Sequence, residues 1–221
     1  MNNKQIHRIK TSNEFHRFKG LPKTGQPLVI VINYESMKNS PGQEPLSLVL
    51  DYYSISLKRN IGGKIKYGQQ EYDFDEGTMF FISPGQVFGI EPGKEETPKR
   101  SGWMLLVHPD FLWHTPLAKT IKQYEYFDYS VHEALFLSEK EEATITNIIS
   151  NIEQEYHSNI DKFSQDVIIA QLELLLTYSE RFYERQFITR KISNNKILNR
   201  LEDLLTGYFD SDDLIEKGLP S

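Results

Sequence analysis

Cysteine is absent from the 221 residues, which excludes a disulfide framework, a thiolate nucleophile and any cysteine-based zinc or iron–sulfur site. Long apolar runs are missing as well. The longest, Leu28 to Ile32 and Trp103 to Val107, are five residues each, against the roughly twenty that a membrane-spanning helix needs. No stretch suits a signal peptide, and these missing signals make the cytoplasm the expected compartment. Histidine is missing from residues 17–107; the six are His7, His16, His108, His114, His132 and His157. Catalytic signatures are lacking too. There is no Gly-x-Ser-x-Gly elbow, and Gly62-Gly63-Lys64 has neither the preceding glycine nor the following hydroxyl of a phosphate loop.

Apolar and aromatic residues make up 38% and 12% of the chain, enough for a sizeable core. The net charge of −6 is unevenly placed. Residues 1–110 carry 14 Lys+Arg and 12 Asp+Glu, whereas residues 111–221 carry 11 and 19. An acidic surface repels phosphate, so the chain as a whole does not read as a nucleic-acid binder. The exception, Arg185 to Arg200 with five cations and no carboxylate, reads as a solvated linker.

Glycine and proline divide the chain in two. Of 13 Gly and 10 Pro, 11 and 8 lie in the first 110 residues. There they recur about every eight residues, around short runs at Lys64 to Tyr67, Glu71 to Phe74, Thr78 to Ile82 and Gln86 to Ile90. Longer runs flank them at Leu28 to Tyr34, Leu48 to Arg59 and Gly102 to His108. This pattern predicts an antiparallel sandwich or barrel. The second half predicts helices. Ser138 and Glu141 form a capping box ahead of Ile145, Ile148, Ile149 and Ile152. A second helix is expected from Phe163 to Phe187, with a seam of Ile168, Leu172, Leu175, Ser179 and Phe182 at heptad spacing. A third is expected to start after Asn194 or Asn195 and stop at Gly207.

The expected fold class is therefore α+β, an antiparallel cupin-like β-barrel followed by an α-helical segment. Without imidazoles in the barrel, a site of two histidines and a carboxylate has no ligands there; no metal and no cofactor are expected. Tyr53, Ile55, Tyr67, Phe81, Phe88 and Trp103 are the candidate lining of an apolar pocket for a small molecule. Each has the plainer reading of core filler.

Three stretches resemble the AraC-type bacterial transcription regulators. Tyr53 to Lys58, Ile65-Lys66-Tyr67-Gly68 and Tyr72 to Val87, the last ending in Ser83-Pro84-Gly85-Gln86-Val87, resemble the sensor domain. Gly102 to Leu112 is similar to the strand and turn that close the barrel. Ile197 to Phe209, then Leu214 to Ser221, looks like the first helix of the DNA-binding domain and the approach to the second. One departure is Phe88, where many relatives place a histidine soon after the Pro-Gly-Gln turn.

The resemblance implies an effector-sensing barrel at 1–115, a helical dimerisation segment and linker at 116–190, and the start of a helix-turn-helix domain at 191–221. It implies a sensor and dimerisation fragment whose DNA reader lies beyond Ser221. The implied partners are an unidentified small-molecule effector, a second copy through the Ile168–Phe182 seam, and DNA only through that further domain. No enzyme activity and no membrane partner are implied. The alternative is a metal-independent cupin-like small-molecule-binding protein or isomerase-type enzyme. Elemental analysis of the purified protein should find no iron, manganese or zinc near one equivalent per chain. A stoichiometric metal that is lost on substituting carboxylates of the barrel would contradict the ligand argument.

Overall fold

Among the described residues, runs of β-branched and aromatic residues between turn signals form ten strands in a computed structural model of the chain. The structure describes residues 6–37, 46–59, 65–67, 70–72, 77–90, 101–127, 134–157 and 163–209, with side chains except at 46, 65–67, 70–72, 90 and 189–209. The strands are β1 (Ile6–Ile9), β2 (Val29–Asn33), β3 (Leu46–Leu50), β4 (Tyr53–Arg59), β5 (Ile65–Tyr67), β6 (Gln70–Tyr72), β7 (Thr78–Ile82), β8 (Val87–Ile90), β9 (Ser101–Val107) and β10 (Leu135–Phe136). The helices are α1 (Ser12–Lys19), α2 (Leu117–Thr120), α3 (Glu139–His157) and α4 (Ser164–Phe209).

The larger sheet has the order β10-β7-β4-β9-β2 and the smaller β1-β3-β8, while β5 pairs with β6. The class is α+β. Among the described strands every pairing is antiparallel except β1 with β3, which is parallel. The expected run from Leu48 to Arg59 divides at Asp51-Tyr52, where Asp51 donates its N–H to the Ile9 carbonyl and pairs with Arg8 at 2.8 Å. The Ser83-Pro84-Gly85-Gln86 turn has the i→i+3 bond and a φ of 79° at Gly85, the conformation a proline-glycine centre favours.

Register separates two faces of the larger sheet, because directly opposed residues point the same way and neighbours alternate. One face carries Ile30, Leu106, Ser54 and Ile82 in one row and Ile32, Met104, Ser56 and Phe80 in the next. It meets Ile9, Phe15, Leu48, Leu50 and Tyr52 in a core shared with the small sheet and α1. The other face carries Val31, Leu105, Ile55 and Phe81, flanked by Tyr53 with Val107 and by Trp103 with Leu57 and Met79. Hereafter these are the inner and the outer face.

Both strong helix signals appear, with one change. Ser138 caps α3, its N–H bonded to Glu141 Oε2 at 2.9 Å, and Ile145, Ile148, Ile149 and Ile152 are buried. Arg59, at the end of β4, pairs with Glu142 in the first turn of α3. The change concerns α4, which runs unbroken through Asn194-Asn195 to Phe209 where a separate third helix was expected. No Gly or Pro lies between Pro116 and Gly207, and an asparagine costs a helix under about 1 kcal/mol; nothing forces a break.

Two compact units divide the chain, Met1–Glu180 and Arg181–Ser221. In the second, the described residues continue α4, with the Tyr183 and Phe187 rings stacked at 6.2 Å. In the first, Gly102 sits at a φ of 114°, and a Cβ there would meet the Leu57 carbonyl of the neighbouring strand. Gly102→Ala should therefore cost about 2–3 kcal/mol, read as a lower urea midpoint with an unchanged slope.

Candidate functional site

Four of the six expected pocket residues lie on the outer face. Ile55 and Phe81 are directly opposed, with Tyr53 and Trp103 at either end of the patch. All four are buried. Phe88 lies elsewhere, packed against the inner core. Tyr67 is placed in β5, but its side chain lies outside the described residues. One cavity therefore does not gather all six.

The inner face is apolar toward β2 and α1 and polar toward β7. Ser54, Ser56 and Thr78 are buried there, and the Lys58 ammonium stands 4.7 Å from the Phe80 ring centroid and 5.8 Å from that of Tyr34. Among the described residues no group of three or more His, Asp or Glu could hold a metal ion.

A cavity of about 370 Å³ opens on the other side. Its floor is Tyr53, from the start of β4, and Phe127, with ring centroids 5.2 Å apart and nearly perpendicular. Ser83 closes one end, its hydroxyl donating to the Phe127 carbonyl at 2.8 Å. Lys122, Gln123, Tyr124 and Glu125 form the wall. Sequence reasoning named only Tyr53 among these. Ser83 lies in the turn between β7 and β8, and the others lie in or between short 3₁₀ turns at Ile121–Gln123 and Glu125–Phe127, which carry no hydrophobic period.

The wall also holds α4. Tyr126, beside the cavity, packs its ring against Phe81 at 4.5 Å and donates its hydroxyl to the Leu176 carbonyl at 3.1 Å. Tyr124 stacks on Tyr126 at 5.3 Å and bonds the Thr177 side chain. Burial raises the Tyr124 phenol pKa, the Thr177 bond opposes that, and Glu180 and Glu173 add to it. Burial alone raises that of Tyr53.

Within the first unit the α4 seam faces inward. Ile168, Leu172, Leu175 and Ser179 are buried, and the Ser179 hydroxyl bonds the Leu175 carbonyl of its own helix. Phe182 is also buried. Among the described side chains of α4, the large apolar residues exposed are Val167, Leu174, Phe187 and Ile188, with Phe163 just ahead of the helix.

A raised phenol pKa means that the folded chain keeps a proton the unfolded chain releases near pH 10. The stabilisation from Tyr53 and Tyr124, and from Tyr52 and Tyr156, which burial also raises, is complete below that pH and is lost above it. Denaturation midpoints should thus fall as pH climbs past about 10, and Tyr53→Phe should flatten part of that fall. An unchanged alkaline limb in Tyr53→Phe would contradict the assignment.

Residues 62–173, half of the chain, match the family described as the AraC-like ligand binding domain. The match runs from the approach to β5 through α3 into the first turns of α4, and so includes the whole cavity wall. No curated protein matches the chain.

Proposed function

This chain belongs to the AraC-like ligand binding domain family, and on that premise we propose that it is the effector-sensing and dimerisation part of a cytoplasmic transcription regulator, controlling a DNA-binding domain. The observation that carries the reading is the family match over β7, β9 and β10 of the larger sheet, the 122–127 segment of the cavity wall and the start of α4. Sensing requires a ligand whose affinity differs between two arrangements of the protein. The segment 122–127 suits that requirement, since it lines a cavity and holds α4 at once. The activity proposed is binding without conversion of the ligand.

Homodimerisation is proposed through α4. Ile168, Leu172, Leu175 and Ser179 are buried within the first unit, so a second copy meets the exposed Val167 and Leu174, seven residues apart on one face of α4, with Phe163 just ahead of the helix. The resemblance of Ile197 to Phe209 to the first helix of the family's DNA-binding domain supports a DNA-reading module.

Fusing residues 1–221 to a heterologous DNA-reading domain that represses only as a dimer tests both parts. The fusion should repress a reporter. Val167→Glu with Leu174→Glu should yield a folded monomer and abolish repression, because two carboxylates would be buried at the contact. Leu172→Asp with Leu175→Asp should instead unfold the chain. A wild-type fusion that is monomeric and silent would overturn the proposal.

A further inference from the structure

The side of α4 turned away from the core has the same order of side chains in both directions, which rests on the homodimer reading and locates its axis. The Phe163 carbonyl accepts the Val167 N–H at 2.9 Å and so opens the first turn. Phe163, Val167, the pair Ala170–Gln171, Leu174 and Tyr178 then follow one stripe at spacings of three and four. Phe163, Val167 and Leu174 are exposed. Ala170 is exposed too, while Gln171 and Tyr178 are half-buried. About the point between 170 and 171 the stripe is symmetric, with aromatic rings at 163 and 178 and branched aliphatic side chains at 167 and 174. An unmet hydrogen bond lies at that midpoint. The Gln171 Oε1 atom is buried and has no hydrogen-bond partner among the described residues. A buried acceptor left without a donor is costly. A carboxamide carries both donor and acceptor, so the same group on a second copy satisfies it reciprocally. A two-fold contact has this self-complementarity, since residue i must meet j while j meets i; a partner of another sequence would not require the mirrored order.

We propose that two copies of this chain pack α4 against α4 in opposite directions, about a two-fold axis at Ala170–Gln171. Val167 then meets Leu174 of the partner subunit, and Phe163 meets Tyr178 of the partner subunit. Across the axis each Gln171 carboxamide donates an N–H to the oxygen of the other. The small Ala170 side chain beside it lets the helices approach to about 8 Å, the close end of the usual range. Asp166, Glu173 and Glu180 are exposed along one flank of the stripe and face the same flank of the other copy. Salt screens that repulsion.

The chain has no cysteine, so single-cysteine variants of the full chain report the geometry through disulfide formation under mild oxidation. Gln171→Cys should cross-link to itself, because its copy lies across the axis. Val167→Cys and Leu174→Cys should each fail alone. About 10 Å of helix separates either residue from its own copy, more than the roughly 7 Å between Cα atoms that a disulfide spans. A mixture of these two variants should cross-link. Sedimentation equilibrium supplies a second readout. Gln171→Glu should weaken the dimer at least about tenfold at pH 7, by setting two carboxylates together, and added salt should tighten the wild-type dimer. Self-cross-linking of Val167→Cys would mean parallel helices and overturn the proposal. So would a Gln171→Cys variant that stays uncross-linked, a dimer indifferent to Gln171→Glu, or one loosened by salt. Each of those results leaves a dimer in solution, and with it the homodimer reading. A wild-type chain that sediments as a monomer at micromolar concentration overturns both.

Discussion

A central strand buried on both faces needs two covers, and the rest of the structure follows from how the chain supplies them. Tyr53 to Leu57 are buried without exception, because β4 lies between β7 and β9 and neither of its faces meets water. The inner cover is the small sheet with α1. On the outer side, the 3₁₀ segment ending at Phe127 packs against Phe81 and Tyr53. That segment is too short to bury much alone, and it is secured by what it grips in turn, the backbone of α4 at Leu176. Sheet, segment and helix are consequently tied through a few aromatic side chains. Each buried ring contributes on the order of 1.5–3 kcal/mol through its apolar area, so the tie is strong for its size.

The same arrangement explains where a cavity can exist. Helices pack a sheet closely over the rows they cover, but a 3₁₀ turn has a different rise and side-chain direction. At the Tyr53 end of the outer face the cover leaves space between Phe127 and the loop wall. The inner face leaves less room at its β2 side, where Ile30, Ile32 and Leu106 meet Leu48, Leu50 and Phe15. Ligand binding and helix positioning become one event when a single segment performs both, which is the physical content of coupling between sites.

Much of this was legible in the residues, and the parts that were not have identifiable causes. β7 matches its expected bounds from Thr78 to Ile82, since Gly77 and the Ser83-Pro84 turn delimit a β-branched and aromatic run. The Ser138 cap of α3 was equally clear. β1 was not: Ile6–Ile9 is mostly exposed and becomes a strand only by pairing with β3, a tertiary effect that local pattern does not carry. α1 did have a signal that went unread, the capping box of Thr11 and Glu14 with Gly20 as its left-handed stop. The expected pocket residues divide between two faces for another reason. β4 alternates Tyr53, Ile55 and Leu57 with Ser54, Ser56 and Lys58, which puts Tyr53 and Ile55 on one face. Met79 to Ile82 of β7, by contrast, is apolar throughout and leaves the face of Phe81 open. The segment from Lys122 to Phe127 follows neither a helical nor a strand period, and only its density of aromatics marked it.

Native-state hydrogen exchange of the α4 amides tests the tie between segment and helix most directly. Tyr126→Phe removes only the hydroxyl that bonds the Leu176 carbonyl, a net loss of about 1 kcal/mol. The account predicts that amides from Leu172 to Glu180 exchange about fivefold faster in this variant, with α1 and β2 unchanged. Equal exchange across Leu172 to Glu180 in the two proteins would contradict it, since α4 would then be held by its apolar seam without the segment.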